Sequence, residues 1–316
     1  MKTSRRSLTL IELLLVLTIM AALAASAASF VEEADDQLRY QDTQNRLTSI
    51  REAVLGRAGG SRVKHDGFLA DTGRLPLTLS ELLEPGTLAP WQLDPPALLG
   101  AAPPTGLGFG WRGPYLPSLP RISGDVAYPD GWGNSPLSGE PASDFGWVVQ
   151  VAGTEFVVRS RGRDGKDGAT PASDPYAADY PSAPLVIAND HSIQLAGWQV
   201  RVRLANLGAS QVLKLRLRYF GFNGATASQF ALLSEATTVP AGTSGPISFT
   251  FTLGGDQVVP WGPKAFDLVQ GVSPDVVVLG PGNGPYVPLA LSAQRVELSP
   301  RATLPEELPL AWTLAP

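Results

Sequence analysis

Three absences limit what this chain can do. It contains no cysteine, and His65 and His191 are its only histidines. A disulfide framework, a thiolate metal site and a cysteine nucleophile are therefore excluded, and little material remains for histidine-based metal centres or a Ser-His-Asp arrangement. Positive charge is not in excess either, because 24 basic residues against 29 acidic ones give a net charge of −5. Since duplex binding depends on basic surfaces, nucleic acid is not an expected partner.

The composition is that of a folded chain with many turns. Its 316 residues suffice for two domains of ordinary size, and 44% of them are hydrophobic. The 33 glycines and 29 prolines are well above average usage and favour short elements. No Gly-x-Ser-x-Gly, Walker-type loop or metal-ligand histidine spacing is present, so an enzyme is not expected.

The N-terminal segment predicts a membrane helix. The residues from Leu13 to Val31 carry no charge, and at about 1.5 Å rise per residue they nearly cross the hydrocarbon core of a bilayer. Lys2, Arg5 and Arg6 precede them, so the positive-inside rule keeps the N-terminus cytoplasmic and places the later domains outside. A secretory signal peptide is the alternative, because small residues suited to signal peptidase lie further along the same segment.

One acidic residue interrupts this apolar stretch. Glu12 lies near its start, where a carboxylate in a membrane helix costs about 2.5 kcal/mol or more and needs a partner. Cleavage between Ser7 and Leu8 would supply one, since the new α-amino group of one subunit can pair with Glu12 of another. The segment 7–13, Ser-Leu-Thr-Leu-Ile-Glu-Leu, resembles the cleavage and methylation site of type IV pilins and type II secretion pseudopilins. Ser7 stands where that family usually has glycine.

The resemblance implies how the chain is processed and assembled. A prepilin peptidase would remove the basic leader 1–7 and methylate Leu8, and Glu12 would set the register between subunits. The expected partners are this peptidase, other pilin or pseudopilin subunits and an inner-membrane assembly platform. Before assembly, the chain is expected to cross the inner membrane once, with its N-terminus cytoplasmic and its other domains periplasmic.

Beyond the membrane segment the helix is predicted to continue in amphipathic form. Apolar residues recur at helical spacing at Val31, Ala34 and Leu38 and again over 47–54, while the other face is charged. Gly59-Gly60-Ser61 is expected to end the helix. The predicted segments are a transmembrane helix over 8–31 and an amphipathic helix over 32–60, packed against a head.

The segment 61–168 is predicted to form a small head. Trp-Arg-Gly-Pro-Tyr-Leu at 111–116 and Asp-Gly-Trp-Gly-Asn at 130–134 precede two strand-like runs at 146–151 and 155–160, which read as a hairpin. An Asp-Gly-Lys-Asp-Gly loop begins at Asp164. The order of these three motifs, at 111–116, at 130–134 and at the loop that begins at Asp164, is similar to that in the major pseudopilin of type II secretion.

The resemblance implies a calcium ion at this loop. Asp164 matches the loop aspartate of the family, and Asp167, Asp174 and Asp179 are candidate further ligands. Calcium takes about six to eight oxygen ligands, so several carboxylates and carbonyls would have to converge. A solvated turn is the alternative, which the composition of the loop also favours.

The last part of the chain is predicted to be a separate all-β domain. The segment 169–184 is rich in Ala, Pro, Ser and Asp and is expected to be a linker, with a β-sandwich over 185–316. Period-two patterns predict a hairpin from strands at 198–204 and 213–219. Further strands are expected at 247–253, 266–269, 276–279 and 289–298. Five basic residues would line one exposed face of the hairpin, either solvated or available to an acidic or sugar partner: Arg201, Arg203, Lys214, Arg216 and Arg218.

These patterns together predict an α+β protein. A long N-terminal transmembrane and amphipathic helix would pack on a small antiparallel-sheet pilin head, followed by the sandwich-like domain. The expected function is a structural subunit of a pilus or pseudopilus filament of the type II secretion kind. The alternative is a low-copy minor pilin or tip adhesin whose C-terminal domain binds a protein or glycan, because a repeated subunit would have to fit this extra domain on the outside of every turn.

Overall fold

The fold is described by a computed structural model over most of the chain. The described residues are 10–56, 67–99, 104–117, 126–136, 139, 144–168, 174–223, 226–252, 258–271, 286–289, 293–298 and 304–314. The helices in these ranges are Leu10–Leu55 (α1), Phe68–Thr72 (α2), Ser80–Leu83 (α3), Pro96–Leu99 (α4) and Ala188–His191 (α5). The strand predicted at 276–279 lies outside them.

Fifteen strands are present in the described residues, and most of them belong to the C-terminal part of the chain. Those of the head are Gln92–Leu93 (β1), Gly108–Phe109 (β2), Trp147–Ala152 (β3) and Glu155–Ser160 (β4). Those that follow are Ser192–Gln194 (β5), Trp198–Asn206 (β6), Gln211–Asn223 (β7), Thr226–Leu233 (β8), Thr237–Val239 (β9), Ser244–Phe251 (β10), Val258–Pro260 (β11), Gly262–Gly271 (β12), Tyr286–Pro288 (β13), Gln294–Leu298 (β14) and Glu307–Leu314 (β15).

Helix α1 is long and continuous, as the sequence predicts, but it ends earlier than expected. Gly56 follows its last residue with φ of 80°, a left-handed conformation that glycine adopts without strain and that stops an α-helix. The stop predicted at 59–61 is therefore wrong. Complete burial begins only at Thr43, whereas Val31 and Leu38 are 68% and 69% exposed. The expectation that Val31 and Leu38 pack against the head is also wrong, although Asp36 on another face of the helix pairs with Arg163 of the head.

The hairpin predicted in the head is confirmed. β3 pairs antiparallel with β4 from Trp147 opposite Ser160 to Ala152 opposite Glu155, with Gly153 and Thr154 as the turn. A two-residue turn with glycine at positive φ suits such a short connection. Its buried side chains share one core with the C-terminal turns of α1.

The described part of the predicted linker packs against the head. The amide of Ser160 on β4 donates to the carbonyl oxygen of Tyr180 at 2.7 Å. The ring of Tyr40 on α1 meets those of Tyr176 and Tyr180 edge to face, at centroid distances of 5.9 and 5.2 Å. Residues 174–184 are thus held by both β4 and α1 rather than extended between two domains.

The C-terminal region is rich in β-structure, as predicted, but its first two long strands do not form a hairpin. β6 lies between β10 and β15 in a three-stranded sheet, and β15 runs parallel to it. β7 lies between β12 and β8 in a larger sheet, with β9, β13 and β14 at its margins. The two sheets meet across one core, where the rings of Trp198 and Phe266 are 6.2 Å apart. The hairpin prediction is wrong because the turn after Asn206 crosses from one sheet to the other.

The five basic residues consequently do not share one exposed face. Arg201 and Arg203 on β6 are exposed and pair with Glu306 and Glu307 at 3.3 Å each. The other three lie on β7, where the side chains of Lys214 and Arg218 are buried and that of Arg216 is mostly buried. The prediction of a single basic patch is wrong.

The head and the β-rich region meet in a close contact that we call the seam, formed by α2 and β2 on one side and β7 and β12 on the other. A Cβ on Gly73 would lie 2.6 Å from the carbonyl oxygen of Phe220, so only glycine fits there. The guanidinium of Arg74 lies 4.9 Å from the ring centre of Phe222, and the rings of Phe109 and Phe220 are 5.7 Å apart. The seam is therefore tight and largely apolar.

Candidate functional site

The N-terminal half of α1 is the most distinctive surface of the molecule. Every side chain described from Leu10 to Val31 is exposed, and this stretch has a mean hydropathy of 2.3 in its most apolar window. It is the helix among the described residues that is long and apolar enough to cross a membrane. Its length of about 33 Å matches a hydrocarbon core of about 30 Å.

Two hydroxyls in this half are satisfied inside the helix. Thr18 Oγ1 donates to the carbonyl oxygen of Leu15 at 2.8 Å, and Ser26 Oγ donates to that of Ala22 at 3.0 Å. These two hydroxyls therefore do not require water, which suits a helix surrounded by lipid or by other apolar helices.

Of the three residues predicted for processing and assembly, one is described. Ser7 and Leu8 precede the described residues. Glu12 lies exposed in the first turn of α1, where a negative charge is favoured by the helix dipole. It is the sole charged residue between Leu10 and Val31.

The first ion pair between α1 and the head involves Asp36, five residues beyond Val31. Arg163 forms ion pairs with Asp36 of α1 and with Asp174. Hydrogen bonding to Asp36, together with the charges of both carboxylates, raises the pKa of Arg163. The loop that carries the predicted calcium ligands is thus fastened directly to the helix.

The predicted calcium ligands are divided by this arrangement. Asp174 faces Arg163, and its other oxygen accepts the amide of Tyr176 at 3.0 Å. Asp164 accepts the amide of Lys166 at 3.0 Å, which is the geometry of a local turn. Burial raises the pKa of Asp179, and the neighbouring charges of Asp167 and Asp164 add to this effect.

The charges of Asp164 and Asp167 therefore act on Asp179, whereas Asp174 pairs with Arg163. Asp179 also accepts the amide of Gly168 at 2.9 Å, which closes the loop from the far side. Across the described ranges, which omit 169–173 beside this loop, no three acidic or histidine side chains are arranged to hold a metal ion.

The Asp-Gly-Trp-Gly-Asn motif joins α1 to this loop. A Cβ on Gly131 would lie 2.2 Å from the carbonyl oxygen of Arg39, so glycine lets the motif rest directly on the helix. The amide of Gly131 donates to Thr43 Oγ1 at 3.1 Å, and Arg46 Nη1 donates to the carbonyl oxygen of Pro129 at 2.7 Å. This contact explains why glycine follows the aspartate in this chain.

Asp130 is the buried centre of the same motif. It is 2% exposed and accepts hydrogen bonds from Ser160 Oγ and the amide of Gly133, both at 2.8 Å. Asn134 Nδ2 in turn donates to the carbonyl oxygen of Gly162 at 2.7 Å, at the start of the acidic loop. Burial raises the pKa of Asp130, although these hydrogen bonds oppose it. The sequence analysis identified the motif but not this role of Asp130. The available signal was an aspartate followed by two turn glycines, Gly131 and Gly133.

A buried ion cluster on β7 and β12 was missed as well. Arg216 donates to Asp267 through Nε and Nη2 at 2.7 and 2.8 Å, and Arg218 Nη2 lies 2.8 Å from the same carboxylate. Asp267 is 3% exposed. Strand periodicity alone could not predict this ion cluster, because the cluster depends on the pairing of β7 with β12.

No family model, no curated protein and no solved structure matches this chain. The geometry defines the class coarsely: an α+β protein that has, in its described ranges, one candidate membrane helix, which continues into a packed head and a β-rich region. A more specific functional assignment depends on the apolar half of α1 with Glu12 and on the acidic loop of the head.

Proposed function

We propose that this chain is a structural subunit of a pilus or pseudopilus filament of the type II secretion kind. The observation that supports this most is the division of α1. Its first half is apolar and uncovered, and its last turns are embedded in the head core. A rigid helix of this kind suits a bilayer before assembly and the centre of a helical filament afterwards.

The N-terminal residues supply the proposed chemistry of maturation. Prepilin peptidase cleaves between Ser7 and Leu8 and methylates the new N-terminus of Leu8. The carboxylate of Glu12 then pairs with the α-amine of a neighbouring subunit, a pair strengthened by the apolar surroundings of the filament core. The other partners are pilin or pseudopilin subunits and an inner-membrane assembly platform.

The proposed location follows from the same residues. Before assembly the chain crosses the inner membrane once through α1, with the basic leader 1–7 on the cytoplasmic side and the head and β-rich region in the periplasm. The role is structural rather than enzymatic. Calcium at the loop of Asp164 and Asp167 belongs to this proposal through the family resemblance.

A low-copy minor pilin or tip adhesin is the second candidate. It is favoured by the size of the β-rich region, whose two larger sheets comprise most of the described strands of the chain. In this case the β-rich region binds a protein or glycan outside the filament. Copy number relative to shorter subunits of the same cell separates the two candidates.

The decisive experiment is the intact mass of membrane-extracted protein from cells with and without prepilin peptidase. Loss of 1–7 together with one added methyl group, dependent on the peptidase, is the expected result. A full-length chain, or one cut within 24–29 by signal peptidase, would overturn the proposal.

A pair of matched variants tests assembly separately. Glu12→Ala should be cleaved and methylated normally but fail to enter filaments, because the α-amine of its neighbour is left unpaired. Glu32→Ala removes an exposed carboxylate just beyond the apolar half and should assemble normally. Equal incorporation of both variants contradicts the role of Glu12.

A further inference from the structure

Lys264 is a lysine enclosed in the seam. The residue is 2% exposed, and its Nζ donates only long hydrogen bonds, to the carbonyl oxygens of Gly262 and Pro263 at 3.3 and 3.4 Å. The Nζ lies 5.6 Å from the ring centre of Tyr219. Within the described part of the chain no carboxylate pairs with it. A charged ammonium in this position is therefore poorly compensated.

Both sides of the seam enclose this side chain. A cavity of about 10 Å³, roughly the size that one water molecule needs, lies between Leu69, Ala70 and Gly73 of the head and Phe220 and Trp261 of the β-rich region. None of the residues that line this cavity, apart from Lys264 itself, has a titratable side chain. The cavity has room for one water molecule at most, so full hydration of the amine requires the two sides to move apart.

The titratable groups of the surrounding elements do not compensate Lys264. Burial raises the pKa of Tyr219 to about 12, so this phenol is neutral over the physiological range. Near the end of α2, Asp71 accepts the hydroxyl of Tyr115 at 3.0 Å, and Arg74 pairs with Glu81 through two bonds of 2.8 and 2.7 Å. These charges are satisfied within the head.

Among the side chains that the structure describes on the flanking strands, no carboxylate compensates Lys264. On β14, the apolar Val296 is the Cα partner of Lys264. Asp267 lies three positions further along β12, on the opposite face of the sheet, and is bound by Arg216 and Arg218. Among the described residues that line this cavity, Lys264 is thus the ionisable group whose charge state depends on whether the seam is closed.

We propose that Lys264 makes the seam an acid-sensitive contact, in which protonation of its amine favours separation of α2 from the end of the β-rich region. Burial lowers the pKa of Lys264 from 10.5 to about 7 in the closed form. In an opened, hydrated form the amine returns to the ordinary value. The closed form then binds fewer protons than the open one between these two values.

The direction of the effect follows from this difference. The closed form is most stable above the ordinary lysine pKa, loses stability as the pH falls towards 7, and changes little below that. With the two values 10.5 and about 7, the opening equilibrium is about tenfold larger at pH 6 than at pH 8. A mildly acidic compartment would therefore loosen the contact between α2 and the end of the β-rich region.

Hydrogen exchange of the full-length protein in detergent tests this inference. Amides of α2 and Gly73 report on opening of the seam, and those of the hairpin β3–β4 serve as an internal control. After correction for intrinsic exchange rates, the wild type should show about tenfold more opening of the seam at pH 6 than at pH 8. The hairpin should show no such difference.

Two variants separate this role from simple packing. Lys264→Met keeps the length of the side chain without the charge and should protect the seam equally at both pH values. Lys264→Arg stays charged and should leave the seam open at both. A wild type with equal opening at pH 6 and pH 8, or a Lys264→Met variant with the same pH dependence as the wild type, overturns the proposal.

A direct titration covers the case in which a variant does not fold. The NMR shift of the Lys264 side chain in the wild-type protein should titrate near pH 7. Titration near pH 10 shows that the amine is hydrated in the native state, and the proposal then fails.

Discussion

Replacing Asp267 by asparagine should destabilise this protein far more than breaking an exposed ion pair. The Asp267 carboxylate is 3% exposed and lies within 2.8 Å of nitrogens from both Arg216 and Arg218. Asparagine has nearly the same size, so the substitution opens no cavity. It removes the one negative charge that these two guanidinium groups share.

The magnitude follows from burial. Removing one partner of a buried ion pair typically costs about 3–5 kcal/mol, because the remaining charge stays in a poorly hydrated site. Burial already lowers the pKa of Arg218, against the opposing charge of Asp267. We therefore expect the free energy of unfolding to fall by about 3–5 kcal/mol in Asp267→Asn.

Glu307→Gln is the matched control in the same region. Glu307 pairs with Arg203 at 3.3 Å, but both side chains are well exposed. Breaking this pair should cost about 0–1 kcal/mol. Urea unfolding of the full-length protein in detergent, followed by tryptophan fluorescence, measures both variants. A difference between them of less than about 1 kcal/mol would refute the reasoning from burial.

Three further predictions concern the head and the sheet edge. Gly131→Ala places a Cβ 2.2 Å from a carbonyl oxygen of α1 and should speed amide exchange in the C-terminal half of that helix. Gly133→Ala meets open space and carries only the strain of a φ of 70°, so it should speed this exchange less than Gly131→Ala does. Because burial raises the pKa of Asp130 above its unfolded value of 3.8, the stability of the wild type relative to Asp130→Asn should fall as the pH rises through that raised pKa. Unfolding curves from pH 3.5 to 6.5 measure this, and a constant difference contradicts it. Gln294→Ala removes two hydrogen bonds to Ala311 on the edge strand β15, of 2.6 and 3.3 Å, and should promote concentration-dependent self-association in gel filtration. Unchanged elution would count against this capping role.

Local patterns predicted the elements whose partners lie nearby in the chain. The hairpin of β3 and β4 was predictable because its two strands and its turn are consecutive in the sequence, from Trp147 to Ser160. The hairpin of β6 and β7 was not, although both strands were identified. Their apolar faces meet across the core, so the same alternation fits strands that lie side by side or in opposite sheets. Sequence alternation gives the buried face of a strand but not its hydrogen-bonding neighbour.

The candidate site shows the same division. Glu12 was recognisable because a single acid in an apolar helix is conspicuous in sequence. Asp130, Asp267 and Lys264 were not recognisable in their roles, since each depends on burial by distant segments. Asp174 was predicted as a calcium ligand from its position near the loop. In the structure it pairs with Arg163, which also pairs with Asp36 of α1.

The sequence by itself determined that this protein has a long N-terminal helix with one acidic residue in its apolar half, and that its C-terminal part is β-rich. Both properties come from the periodicity and polarity of consecutive residues. Only the tertiary structure decided where α1 enters the head, which strands share a sheet and which charges are enclosed in the seam. Those outcomes depend on contacts between residues far apart in the chain, whose free energies no local pattern contains.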